Sequence, residues 1–269
     1  MERTYRTYRP ESVTDTASVP LVVMLHGALG SGKQAEAAYN WNKEADKRGF
    51  IVAYPDGYRH TWAVSDNCCG PSVKAGIDDV AFIRQMISEI SDMATIDSRR
   101  IYATGISNGG ALAYRLVCNT DLFAAIGPDS TTLLGDCPSP HPTSVIHIHG
   151  LADQTFPYNG GPGKRNQAGE SSTINTSGPA IPDLIASWQK IDSCGLPRTT
   201  VSGLVTQTEA TCPGGRAVTL ITIDGAGHQW PGAVQNEHAD ERLIKLDPPS
   251  TALDATNVIW DFFSQHPSI

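Results

Sequence analysis

Six short apolar runs recur along the 269-residue chain, Leu21–Leu25, Phe50–Tyr54, Arg100–Thr104, Ala124–Ile126, Ser144–Ile148 and Ala217–Ile223, each bounded by Gly, Pro or Asp. Runs of this length suit strands buried on both faces. Between them lie segments of helical period, roughly Gln34–Arg48, Asp78–Met93, Ala111–Cys118, Pro182–Asp192 and Ala255–Gln265. Strand–helix alternation requires crossover connections between parallel strands, which are right-handed in nearly every known case. The expected class is therefore α/β, a doubly wound, mostly parallel sheet with helices on both faces. With 40% hydrophobic residues, 18% charged residues and no internal repeat or evident linker, residues 1–269 are expected to form one domain.

Composition narrows the function. A net charge of −8 and the lack of any Lys/Arg cluster argue against nucleic acid, leaving a neutral or polymeric substrate. No apolar run nears the roughly eighteen residues a membrane span needs. The polar first twenty residues lack a signal-peptide pattern, so the chain reads as mature protein. Nothing calls for an obligatory protein partner. Six cysteines occur, none in C-x-x-C spacing, which favours bridging over metal or thiol chemistry. The expected pairs are Cys118–Cys137 and Cys194–Cys212. Cys68 and Cys69 either bridge each other or each pair elsewhere.

Gly105-Ile106-Ser107-Asn108-Gly109 follows the run Arg100–Thr104 and precedes the helical stretch from Ala111. This strand–turn–helix setting is what a nucleophile elbow requires, whereas the pentapeptide alone would be an ordinary Gly-rich turn. A serine hydroxyl needs a base within reach, and the base needs an acid to hold its tautomer. Asp153 follows Ser144–Ile148, and His228 follows Ala217–Ile223. Both lie just past strand C-terminal ends, where open α/β sheets place their sites. The expected catalytic set is thus Ser107, Asp153 and His228. Asp129 is the rival acid, one strand earlier, and Asp224 lies too near its strand end to be favoured.

Acyl transfer places negative charge on a carbonyl oxygen, and the backbone N–H groups of Ala28 and Asn108 are the expected oxyanion hole. His26 in Leu25-His26-Gly27-Ala28 is read as a buttress of that turn. His147 and His149 share one strand face but lack a third ligand, so they read as satisfied core histidines, and no metal or cofactor is expected. Gly30-Ser31-Gly32-Lys33 lacks phosphate-loop spacing, which excludes nucleotide binding. The Gly/Asn/Ser-rich stretch Tyr158–Pro179 reads as a long surface loop and candidate partial lid, with a glycosylation sequon at Asn175.

With these residues placed, the sequence resembles the secreted polyhydroxybutyrate depolymerase/feruloyl esterase family of the α/β-hydrolase superfamily, nearly end to end. The marks are Leu25-His26-Gly27, Phe50 to Gly57, Cys68-Cys69-Gly70, Asp78 to Ile83, Gly105 to Gly110, His149-Gly150 with Asp153, and Gly227-His228 with Trp230-Pro231-Gly232. The resemblance implies an extracellular carboxylic ester hydrolase working through an acyl-enzyme, with catalytic roles on Ser107, Asp153 and His228. Many relatives carry Cys or Thr after the His-Gly turn, where this chain has Ala28-Leu29-Gly30.

The expected substrate is an ester attached to polysaccharide or polyester. Trp230, Trp62 and, third, Tyr158 are the candidate substrate contacts, able to stack on a phenolic ring or a sugar face. No separate polymer-binding module is evident, which favours a feruloyl esterase over a short-chain polyester depolymerase, with acetyl-xylan esterase third. A non-catalytic carbohydrate-binding relative is the alternative of another class, and the ordered Ser, Asp and His argue against it.

Overall fold

The structure is a computed structural model that describes residues 2–163, 176–234 and 246–268. The six apolar runs form β2 (Val19–Leu25), β3 (Ile51–Pro55), β4 (Ile96–Ile106), β5 (Ala125–Asp129), β6 (Ser144–Gly150) and β9 (Ala217–Ile223). These six pair in parallel, in the order β3-β2-β4-β5-β6-β9. Three further strands, β1 (Tyr5–Tyr8), β7 (Arg198–Ser202) and β8 (Val205–Thr211), add antiparallel at the two edges. Sequence periodicity misses them because they are polar and half-buried or exposed; β7 is exposed along its whole length.

Helices α1 (Gly32–Ala38), α2 (Trp41–Arg48) and α7 (Ala255–Gln265) contribute to the apolar cluster on one face of the sheet. Helices α4 (Asp79–Met93), α5 (Asn108–Asn119) and α6 (Ile181–Ile191) contribute to the cluster on the other. A short helix, α3 (Gly70–Lys74), follows the adjacent cysteines. The expected single helix Gln34–Arg48 is two helices. Asn40 stands between them at φ 58°, a left-handed conformation that ends a right-handed helix, and its Nδ2 donates to Gly232 O at 3.2 Å. Start signals are local: the Asp78 and Asp254 carboxylates accept the N–H groups of Ala81 and Asn257 at the first turns of α4 and α7.

From β2 the chain winds to β3 on one side, and from β4 onward it winds to the other. The reversal leaves a crevice at the C-terminal ends of β2 and β4, where a doubly wound sheet binds its ligand. The turn 26–30 leaves β2 there, and the turn at Ser107 leaves β4.

Candidate active site

Ser107 joins β4 to α5 at φ 58° and ψ −123°, a conformation an L-residue adopts only when its surroundings enforce it. Its N–H donates to Asp129 O at 2.9 Å, and its carbonyl accepts Ala111 N–H at 2.9 Å. The flanking glycines let this turn press onto the end of β2. A Cβ on Gly105 would lie 2.6 Å from Leu25 O, and one on Gly109 would lie 2.5 Å from His26 O. The serine is 7% exposed, at the surface of the crevice.

His228 Nδ1 lies 2.8 Å from Asp153 Oδ2, and both side chains are buried. The other carboxylate oxygen accepts the N–H groups of Thr155 at 2.7 Å and Phe156 at 2.9 Å. Burial pushes the Asp153 carboxyl up, but the His228 bond and charge, with His149 and the Phe156 N–H, outweigh it and hold the group below its usual range. The His228 backbone is clamped from outside: its N–H donates to Asp247 Oδ2 at 2.7 Å and its carbonyl accepts Asp247 N–H at 2.9 Å. Nothing in the sequence pattern singles out Asp247.

The rival acid, Asp129, has both carboxylate oxygens buried without a hydrogen-bond partner among the described residues. Burial pushes its carboxyl far above the ordinary range, reinforced by the Asp153 charge. Among the described residues no histidine is hydrogen-bonded to it, so it orients no imidazole. Asp224 is exposed.

The N–H groups of Ala28 and Asn108 have no protein acceptor among the described residues, and both belong to the turns that border the crevice. Their frames are braced by one segment. Leu29 N–H donates to His60 O at 2.8 Å, and His60 Nδ1 meets Gly30 O at 2.8 Å. Trp62 Nε1 donates to His26 O at 2.8 Å; Asn108 Oδ1 accepts Trp62 N–H at 2.8 Å, and Asn108 Nδ2 donates to Trp62 O at 3.0 Å. His26 Nε2 accepts Gly57 N–H at 2.9 Å, and burial holds this imidazole down to about 4, against the bond to Gly27 O. His26 is thus the buttress that its place in the sequence suggests.

The expected aromatic substrate contacts need correction. Trp62 is 0% and Trp230 1% exposed, so neither ring faces the crevice. Trp62 is spent on the brace just described, and Trp230 packs on Tyr39 and donates from Nε1 to Thr256 Oγ1 at 3.1 Å. Tyr158 is half-buried, its ring 6.0 Å from that of His149. Leu29, next to Ala28, and Leu151, next to Gly150, are exposed apolar side chains in turns that carry site residues. Residues 164–175, with most of the expected lid and Asn175 of the sequon, lie outside the described residues.

His147 and His149 use all four ring nitrogens on Tyr114, Phe156 O and each other, leaving no lone pair for a metal. Among the described residues, one cluster has metal-ligand spacing, Asp192, Cys194 and Cys212, but its two sulfurs are bonded to each other. Cys118 is bridged to Cys137, and Cys68 to its neighbour Cys69. The adjacent pair sits against the Trp62 brace, with Cys69 N–H donating to Trp62 O at 3.3 Å. A separate cleft of about 370 Å³ opens at the N-terminal end of β9, lined by Gln207, Glu209, Arg216 and His266, far along the sheet from Ser107.

Residues 3–150 match the family described as esterase PHB depolymerase, a span that holds Ser107 and ends short of Asp153 and His228. Feruloyl esterase B of Piromyces equi is 32% identical over 231 residues, covering 81% of this chain and 41% of that protein. The bifunctional acetylxylan esterase/xylanase XynS20E of Neocallimastix patriciarum is 27% identical over 58% of this chain and 22% of its own length. The chain thus spans less than half the length of either relative. Among solved structures, acetyl xylan esterase from Aspergillus awamori superposes with a TM-score of 0.63 at 15% identity, covering 97% of this chain and 93% of that one. A phospholipase/carboxylesterase from Dyadobacter fermentans gives 0.54 at 16% identity, over 86% and 91% of the two chains. The fold is that of the α/β-hydrolase esterases.

Proposed function

The chain belongs to the esterase PHB depolymerase family, and on that premise we propose that it is a serine carboxylic ester hydrolase acting through an acyl-enzyme, with a hydroxycinnamoyl (feruloyl) ester as substrate. The carrying observation is the 2.8 Å bond between His228 and Asp153 at the same sheet edge as the strained Ser107 turn. In this reading Ser107 Oγ attacks the ester carbonyl carbon while its proton passes to His228 Nε2. Asp153 holds the opposite ring nitrogen and stabilises the imidazolium. The tetrahedral oxyanion takes the N–H groups of Ala28 and Asn108. Collapse breaks the bond to the alcohol, which leaves with the proton from His228. Water then repeats the sequence on the acyl-enzyme and frees the acid and Ser107.

The acyl group is chosen on two grounds. The Piromyces equi relative is named a feruloyl esterase and aligns over 81% of this chain. Leu29 and Leu151, exposed in the turns that carry Ala28 and Asp153, offer apolar surface to a flat phenolic acyl group. The same surface suits a short-chain polyester, the reading the family description favours as second. Three disulfides fit a chain that works in an oxidising, extracellular setting on esters carried by polysaccharide, with residues 1–269 as one catalytic domain. Among the described residues, no helix is long and apolar enough to cross a membrane.

The test is a substrate panel with Ser107→Ala as control. Turnover of methyl ferulate well above hydroxybutyrate oligomers and acetylated xylan, abolished in the variant, supports the reading. Preference for the oligomers transfers the protein to the polyester class, and no turnover of any ester removes it from the hydrolases.

A further inference from the structure

Two buried histidines that the reaction above does not use stand on one face of β6, and their proton arrangement follows from their partners. His149 Nε2 lies 2.8 Å from Phe156 O. A carbonyl only accepts, so this nitrogen carries a proton. Burial pushes both imidazoles below their ordinary range and keeps them neutral, so His149 Nδ1 is bare. It accepts from His147 Nε2 at 3.1 Å. His147 Nδ1 is then bare in turn and accepts the hydroxyl of Tyr114 at 2.8 Å. One direction of donation satisfies every member: Tyr114 to His147, His147 to His149, His149 to Phe156.

The two ends of this chain matter. Tyr114 is on α5, about two turns beyond Ser107 at the helix start. Phe156 donates its own N–H to Asp153 Oδ1 at 2.9 Å, beside the Thr155 N–H at 2.7 Å. His149 Nε2 also stands 3.9 Å from Asp153 Oδ2, the oxygen that meets His228. The rings are packed face to face, His147 on His149 at 5.4 Å and Trp188 on Tyr114 at 5.8 Å, which leaves the imidazoles little room to turn. Core packing alone would be met by apolar side chains. A one-way chain ending on the peptide that holds the acid does more.

We propose that Tyr114, His147 and His149 are positioning residues: a dry hydrogen-bond relay that ties the helix bearing Ser107 to the 153–156 turn and holds the Asp153 carboxylate in register with His228. The relay rests on the reading of Ser107, Asp153 and His228 as the catalytic set.

The experiment measures kcat, KM and melting temperature on p-nitrophenyl acetate for His149→Leu, His149→Gln and Tyr114→Phe, each alone and combined with Asp153→Asn. Misplacing the acid is expected to lower kcat roughly a hundredfold in His149→Leu with KM within about twofold. His149→Gln keeps an N–H donor for Phe156 O and recovers about tenfold of that loss, and Tyr114→Phe loses about threefold. In the Asp153→Asn background none of the three lowers kcat further, because the relay acts through the carboxylate it no longer positions. Losses that add to that of Asp153→Asn, or folded variants with unchanged kcat, overturn the relay. If His149→Leu does not fold, His149→Gln and Tyr114→Phe decide by the same additivity. Ser107→Ala, run in parallel, separates the outcomes: full activity there overturns the catalytic reading itself, whereas its loss with additive relay variants overturns the relay only.

Discussion

Asn108 serves the site twice, through its backbone N–H and through a side chain that locks the Trp62 peptide. Asn108→Ala removes the acceptor of Trp62 N–H (2.8 Å) and one of two donors to Trp62 O, which keeps Cys69 N–H at 3.3 Å. Trp62 is fully buried, so its N–H is left without a partner and without water. One orphaned buried donor costs about 1–3 kcal/mol, and with the second bond weakened the expected loss is about 2–4 kcal/mol of unfolding free energy. Because Trp62 Nε1 also holds His26 O, the slackened peptide frees the turn bearing Ala28, and kcat falls with the stability. Asn108→Asp separates the two bonds: it keeps an acceptor for Trp62 N–H but faces Trp62 O with an acceptor where a donor stood. Its carboxyl must stay protonated to serve, so the variant is more stable relative to the parent at pH 4 than at pH 7. Urea denaturation of the three proteins at both pH values reads the effect. A loss below about 1 kcal/mol in Asn108→Ala, or no pH difference in Asn108→Asp, refutes the brace.

Asp153→Asn is expected to lower kcat by about 10⁴, whereas Asp129→Asn, replacing a carboxyl that bonds no histidine, leaves kcat within a few-fold; reversed outcomes would move the acid to the earlier strand. Acid should unfold the protein through its buried histidines. His26 is held down to about 4 in the fold, so below about 6.5 the unfolded chain binds a proton the native state refuses, and stability present above that range is lost as pH falls toward 4. For His26 the contribution lost between pH 7 and 5 is about 2 kcal/mol, with His147 and His149 in the same direction and the raised carboxyls of Asp129 and Asp192 in the opposite one; the drop in urea midpoint between the two pH values should therefore be larger in Asp129→Asn than in the parent, and equal drops would contradict it. Cys194→Ser with Cys212→Ser opens a bridge of sequence separation 18 and should cost roughly 3 kcal/mol, read as a lower melting temperature.

The parts of the fold legible in the sequence are those whose residues face one kind of environment. β2, β5, β6 and β9 are buried along their full length and declare themselves as apolar runs. β7 and β8 carry Thr, Gln, Arg and Glu at a sheet edge, where backbone pairing and not burial makes the strand. The break at Asn40 depends on Gly232, 192 residues away, and no local pattern carries it. In the site, Ser107, Asp153 and His228 stand at strand ends with short flanking motifs, so chain order points to them. Trp62 and Trp230 illustrate the limit. An indole near a catalytic residue looks the same in sequence whether its N–H holds a neighbouring turn or its ring faces a substrate, and here both are buried and hydrogen-bonded. Asp247 holds the His228 backbone through its carboxylate and its N–H, and Phe156 acts through its backbone alone; no local pattern points to either.

Catalysis turns on one covalent bond, between Ser107 Oγ and the acyl carbon of an ester. Mass spectrometry of the protein treated with a p-nitrophenyl phosphonate, followed by peptide mapping, tests it most directly. One adduct per chain is expected, on Ser107, formed with release of one p-nitrophenol and together with loss of ester hydrolysis, and absent in Ser107→Ala. An adduct on another residue, or ester hydrolysis that survives in Ser107→Ala, would contradict it.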